Sequence, residues 1–264
     1  MVNINLPLQP KITKKEGNKA FFEIEDLYPG YGVTVGNSLR RVLLSSLAGA
    51  AATQVRIKGV SHEFSTIPGV LEDMIMIMAN LKGLRFKIFS EEPQVAKLSV
   101  RGEQEVKGAD LKLPPELELV NRDCHIATLT QKSASFEMEI VVEKGIGYSS
   151  RESRKKEKLE IGTIALDAIF TPIKRVNYRV ENMRVGERTD YDRLFLEIDT
   201  DGIVSPQDAF YQASEILVNH FSLLRDAFQP KAETKEPEKE KKPAAKKKEA
   251  KKEKHEKPKK RKKI

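Results

Sequence analysis

The stretch SPQDAFYQASEILVNHFSLLRDAF, residues 205–228, constrains this chain more than any other. Ser205 supplies an N-cap, Pro206 takes the first helical position, and Asp208 sits where an acid favours the helix dipole. The spacing predicts one helix to about Phe228, roughly 22 residues or ~33 Å long. Phe210, Ala213, Leu217, Phe221, Leu224 and Phe228 form one apolar stripe. Ile216, Val218 and Leu223 widen it beyond what packing on a single sheet uses. Fully burying each large side chain contributes on the order of 1.5–3 kcal/mol, so a wet second face forgoes several kcal/mol. The pattern predicts a partner chain over that face, and a symmetric dimer is the commonest arrangement.

The residues that follow cannot join a core. From Lys231 to Ile264 there are sixteen lysines and one arginine against seven glutamates, and no aromatic residue. That composition predicts a disordered tail. The first 230 residues hold 30 basic and 32 acidic side chains, so the overall charge of +8 belongs to the tail alone. A near-neutral body offers no basic face to continue a nucleic-acid footprint, which weighs against the alternative of a free-standing nucleic-acid-binding protein acting through its tail. Cys124 is the only cysteine, which excludes an intrachain disulfide and points to a reducing compartment. The start lacks an apolar signal region, and no apolar run reaches the ~18 residues that span a bilayer.

Upstream, AFFEIEDL (20–27) alternates as a strand and leads into GYGVTVGNSLRRVLLSS. Its glycines, Gly30, Gly32 and Gly36, raise the question of a phosphate cradle at a helix start. The spacing G-x-G-x-x-x-G misses the dinucleotide fingerprint by one residue and lacks the G-K-[ST] of a P-loop. The segment reads as a turn that delivers a helix from about Val35 to Leu47, with Thr34 as N-cap and Gly49 at its end. Leu39, Val42, Leu43, Ser46 and Leu47 share one face, and Leu44 falls outside it. Arg40 and Arg41 diverge by about 100°. One is expected to pair within its own subunit, while the other presents a fixed fork to carboxylates or carbonyls of a docked protein.

From Ala50 to about Gly162 the rhythm changes. TQVRIKGV, LRFKIF, VAKLSVRG, HIATLTQ and ASFEMEIVVE read as strands, the last with Phe136, Met138, Ile140 and Val142 on one face. Val70, Met74, Ile77, Met78 and Leu81 mark a short helix stopped by Gly83. These predict a small antiparallel sheet with one helix, ending in a charged, mobile loop, GIGYSSRESRKKEKLEIG. ALDAIFTPIKRVNYRVENMRVG and RLFLEIDTDG then return to strands, so the whole chain reads as α+β.

No catalytic or metal constellation emerges. DTDG at 199–202 lacks the remaining ligands of a calcium loop and reads as a turn. Cys124 and His125 are adjacent rather than spaced for zinc, and His62 has no nucleophile motif near it. His220 reads as an interface or capping hydrogen-bonder within the long helix. Neither a cofactor nor a small-molecule substrate is expected.

GYGVTVGNSLRRVLLSSLAGAAATQVRIKGVSHEFSTIPGVLEDMIMIMANLKGL closely resembles the N-terminal part of the bacterial-type RNA polymerase α subunit family. IGTIALDAIFTPIKRVNYRVENMRVGERTDYDRLFLEIDTDGIVSPQDAF matches the second half of the same region, so the likeness covers residues 1 to about 230. The resemblance implies a discontinuous dimerisation domain of sheet plus helices, 1–48 with 168–230, and an inserted, mostly antiparallel β domain, 49–167. It implies a homodimer that scaffolds assembly of the β and β′ subunits, a bacterial cytoplasmic or plastid stromal setting, and a catalytic magnesium held in β′ rather than here. At matching positions it implies β contact at Arg41, Leu44, Glu72 and Asp73, and β′ contact at Lys82 and Leu166. The dimer interface it implies uses the two long helices, hence Leu39, Val42, Leu43, Phe210, Leu217, Phe221, Leu224 and Phe228. Family members continue into a small DNA-binding helical domain, where this chain has KKPAAKKKEAKKEKHEKPKKRKK. The tail is expected to touch upstream DNA phosphates without sequence preference, or else only to solvate or pair with acidic neighbours.

Overall fold

The computed structural model describes residues 4–153 and 162–228. Of the expected mobile stretch, 145–162, residues 154–161 lie outside the described residues, as does the expected disordered tail, 231–264, whereas Gly145–Ile146 and Tyr148–Ser149 are in strands. The chain opens with strands β1 (Lys11–Glu16) and β2 (Lys19–Leu27), then helix α1 (Tyr31–Ser45). Next come β3 (Ala48–Ile57), α2 (Met74–Lys82), β4 (Phe86–Ile88), β5 (Gln94–Arg101) and β6 (Gln104–Lys107). They are followed by β7 (Leu117–Leu119), β8 (His125–Leu129) and β9 (Ser135–Ile146). Short strands β10 (Tyr148–Ser149), β11 (Thr163–Ala165) and β12 (Ala168–Ile169) lead to a long hairpin, β13 (Ile173–Val185) and β14 (Arg188–Thr200). Helix α3 (Pro206–Ala227) closes the described chain.

Two larger sheets organise these elements beside two-stranded ribbons β6-β8 and β10-β12, and every strand pair among the described residues is antiparallel. The first, ordered β1-β2-β14-β13, joins the two ends of the chain. Its register explains its core. Ala20 pairs with Ile198 and Ile198 with Val176, Phe22 with Leu196 and Leu196 with Tyr178, Ile24 with Leu194 and Leu194 with Val180. The pleat therefore sends three rows of apolar side chains to one face, where α1 and α3 lie. Phe22 stacks on Phe210 of α3 with ring centroids 4.9 Å apart.

Helix α1 starts earlier than its spacing predicts, and the reason is packing. Gly32 and Gly36 lie inside the helix, not in a turn. A Cβ on Gly32 would stand 2.7 Å from Val180 Cγ1, and one on Gly36 would stand 2.7 Å from Tyr178 Cδ2. Both glycines serve close approach of the helix to the β13–β14 hairpin. The turn proper ends at Gly30, whose φ of +85° suits glycine. Thr34 is not the cap; its hydroxyl donates back to the Gly30 carbonyl. The helix also stops before Gly49, which sits within β3, where a Cβ would stand 1.8 Å from the Phe170 carbonyl oxygen, so only glycine fits.

The second sheet, β5-β9-β3-β4-β7 with β11 also on β3, encloses its own core under α2. Phe136, Met138, Ile140 and Val142 of β9 are buried as their alternation predicts, and so are Met74, Ile77 and Leu81 of α2. Val70 lies outside that helix, bridged instead to Leu129. Between the two sheets, Arg85 Nε faces the buried Asp201 carboxylate at 3.6 Å. Asp201 also accepts from the Ile203 N–H at 3.0 Å, so the turn expected over DTDG begins only at Asp201, while Asp199 and Thr200 still belong to β14. Its burial pushes the Asp201 carboxyl above the ordinary aspartate value.

Candidate subunit-interaction surfaces

The N-terminus of α1 is an anion site already filled from within. Asp192 Oδ2, on β14, accepts from both the Gly30 and the Gly32 N–H at 2.9 Å. A phosphate at this helix end would need the same two donors and the same positive end of the dipole. The glycine motif therefore binds the chain's own carboxylate, which fastens α1 to the hairpin. Farther along α1, Leu39 and Leu43 are buried in their own chain, while Val42 and Leu44 are half-buried against the same core. Leu44 is thus less free than its place outside the stripe suggests. Arg40 and Arg41 are both exposed, and neither guanidinium has a partner among the described residues. The expected pairing of one arginine within its own subunit is not made.

The loop before α2 faces two ways. The Glu72 carboxylate is buried and accepts from the Thr128 N–H at 2.7 Å and the Thr128 hydroxyl at 3.0 Å, with His125 Nε2 at 2.8 Å. Burial alone would raise its pKa, but these hydrogen bonds prevail and hold it below the usual glutamate range. Asp73 Oδ1 accepts from the Met76 N–H at 2.8 Å and caps α2. Both candidate acids thus act inward, and exposed Leu71, Ile75 and Met76 face outward. Sequence reasoning missed those three; the available signal was that Ile75 and Met76 fall off the buried stripe of α2. At the other end of α2, Lys82 Nζ lies 2.8 Å from Asp167 Oδ2, while neighbouring Leu166 is fully buried. The Leu166 side chain is therefore packed inside its own chain.

Helix α3 divides along its length. Ser205 Oγ accepts from the Asp208 N–H at 3.1 Å, so the predicted cap is made. Ala209 and Ala213 are buried, and Phe210, Ile216 and Leu217 pack half-buried on the first sheet. Beyond them Val218, Phe221, Leu223, Leu224 and Phe228 are 60 to 86 % exposed. Nothing in the described chain covers this end. His220 Nδ1 contacts the Ile216 carbonyl at 2.7 Å along the same helix. Cys124 is half-buried, and burial pushes its thiol upward, away from nucleophilic use. Among the described residues no three His, Cys, Asp or Glu side chains gather as a metal site. No helix there is long and apolar enough to cross a membrane.

Comparison with known proteins places this arrangement. Residues 55–171, the stretch built around the second sheet, match the family model described as the RNA polymerase Rpb3/RpoA insert domain. A DNA-directed RNA polymerase subunit alpha from Roseiflexus sp. is 47 % identical over 226 residues, 86 % of this chain and 69 % of its own. The chain belongs to the family of DNA-directed RNA polymerase alpha subunits. Relatives of the same name from Clostridium acetobutylicum and Oceanobacillus iheyensis are 44 % and 45 % identical, each over 243 residues, 88 % of this chain and 77 % of theirs. The alpha-subunit resemblance drawn from GNSLRRVLLSSL and GVSHEFSTIPGVLED is therefore borne out, as is the α+β fold class.

Proposed function

We propose that two copies of this chain pair through the ends of their α3 helices, and that the pair is the base on which the larger subunits of a DNA-directed RNA polymerase assemble. Family membership makes the chain part of a nucleotidyltransferase complex that performs DNA-templated transcription. Its own part in this reading is scaffolding, with the catalytic groups and magnesium supplied by the β′ subunit. The observation that carries the reading is the exposed apolar end of α3, five large side chains that a lone chain leaves in water.

Arg41 is the candidate anchor for β. It is the one charged candidate whose head group is not already engaged within the chain, and its planar fork suits carboxylates or backbone carbonyls. Glu72 and Asp73 serve the same partner indirectly by holding the loop that displays Leu71 and the first turn of α2 that displays Ile75 and Met76. Lys82 faces β′, with buried Leu166 as its support. A tagged full chain should sediment as a dimer and retain purified β, whereas Arg41→Ala should remain a dimer and lose β. Retention of β by that variant would remove the role given to Arg41.

The tail adds a sequence-independent hold on upstream DNA. Its excess of lysines over glutamates releases counterions when it meets phosphates, so binding should weaken steeply with salt. Titrating upstream DNA against the assembled complex with and without residues 231–264 should show weaker binding and a shallower salt slope without them. Equal affinity would leave the tail a solubilising segment only.

A further inference from the structure

Asp167 stands where three segments of the chain meet. Its Oδ2 lies 2.8 Å from Lys82 Nζ at the C-terminal end of α2. Its Oδ1 accepts from the Arg151 N–H at 3.0 Å, and the Arg151 guanidinium pairs in turn with Glu63. The residue itself lies between β11 and β12, beside fully buried Leu166, whose N–H donates to the Thr53 carbonyl of β3 at 2.8 Å. The backbone beneath the carboxylate is therefore held by a packed side chain and a strand hydrogen bond. Lys82 and the Arg151 N–H together keep the Asp167 carboxyl below the ordinary aspartate range.

The consequence falls on Lys82. A lysine head on a free four-carbon stem samples many positions, and fixing it costs side-chain entropy at the moment of docking. Here that freedom is already restricted in the isolated chain. An ammonium carries three donors, and Asp167 takes one. The Lys82 and Asp167 side chains are 33 % and 30 % exposed, so the remaining N–H groups stay within reach of an incoming acceptor.

We propose that Asp167 is a positioning residue for assembly, setting the Lys82 ammonium so that it meets a carboxylate or backbone carbonyl of the β′ subunit. The proposal rests on the reading of Lys82 as the β′-facing residue. It assigns a role to a residue that spacing does not reveal, since Lys82 and Asp167 are 85 positions apart.

The test uses the full chain, purified β and purified β′, and reads how much β′ the α–β complex retains. Lys82→Ala and Asp167→Asn should each lower β′ retention by about ten-fold or more, with dimer mass, β capture and Tm close to the parent. Asp167→Glu should restore retention, because a carboxylate can still reach the ammonium. The deciding variant exchanges the charges, Lys82→Asp with Asp167→Lys. It keeps the ion pair but removes the ammonium from position 82, so it should fold and capture β yet fail to hold β′. If the exchange restores β′ retention, the pair is structural glue and the proposal is overturned. If Lys82→Ala loses β′ while Asp167→Asn keeps it, Asp167 has no positioning role and the reading of Lys82 survives. If Lys82→Ala keeps β′, that reading itself fails and takes the proposal with it. Should Asp167→Asn unfold, Asp167→Ser, whose hydroxyl can still accept from the Arg151 N–H, takes its place in the same comparison.

Discussion

The two sheets of this chain close their cores in different ways. The sheet built around β3 and β9 is sealed by α2, with Met74, Ile77 and Leu81 all fully buried. The sheet built from β2, β14 and β13 is covered by α1 and by only the first half of α3. The second half of α3 carries Val218, Phe221, Leu223, Leu224 and Phe228 into solvent. One unit closes its core within the chain; the other leaves the apolar end of its last helix uncovered. The same contrast separates the polar candidates. Around α2, Glu72 and Asp73 are spent on internal bonds and Lys82 is held by Asp167 through one of its donors, while on α1 Arg41 is left open.

The largest expected effect would break that comparison outright. Replacing Phe221 and Leu224 with Glu removes four large side chains from a dimer interface. At about 1.5–3 kcal/mol each, this weakens association by at least ~6 kcal/mol, or roughly four orders of magnitude in Kd. Sedimentation should report monomers whose circular dichroism and Tm remain those of a folded chain. An unchanged dimer would mean that the apolar end of α3 is not the interface. Leu43→Ala sharpens the contrast from the inside, since Leu43 is fully buried in its own chain. It should lower folding stability by about 2–5 kcal/mol in urea unfolding, through a cavity, and affect dimerisation only through lost fold.

A smaller loss is expected where α1 is fastened to the hairpin. Asp192→Ala leaves the Gly30 and Gly32 N–H groups without their acceptor and the helix start without its counter-charge, at a cost of about 2–3 kcal/mol. Amide exchange should rise first at residues 30–36. The smallest effect concerns Glu72 and depends on pH. Its folded pKa lies below the ordinary glutamate value of 4.5. The carboxylate therefore contributes stability in full above that value and loses it as pH falls through the lower folded value. Glu72→Gln should be less stable than the parent near neutrality by about 1–2 kcal/mol, and the gap should narrow on acidification. A gap that does not move with pH would show that the charge of Glu72 is not what holds the loop to β8.

Much of the architecture was legible because periodicity and burial coincide. The alternation in ASFEMEIVVE marked the four inward residues of β9, and Ser205, Pro206 and Asp208 marked the start of α3 at its true position. Boundaries failed where a distant element overrode local signals. Gly32 and Gly36 look like a turn in one dimension, yet they are helical and are glycine because Val180 and Tyr178 approach from the hairpin more than 140 residues away, leaving no room for a Cβ. Thr34 lost the capping role to Asp192, which no local pattern could indicate. Leu39 and Leu43, dimer contacts by resemblance, are buried in their own chain, because helical spacing shows which residues share a face and not what lies against it.

By itself the sequence determined the α+β class, the length and cap of the last helix, the surplus of apolar surface at its end, and the concentration of positive charge after residue 230. These follow from spacing and composition, which act over a few neighbouring residues. The tertiary structure alone decided which apolar face is satisfied within the chain, which carboxylate fills the α1 anion site, and which candidate charges remain open. Those outcomes depend on contacts between residues dozens to well over a hundred positions apart. A side chain's freedom to meet a partner is set by what the fold has already placed against it.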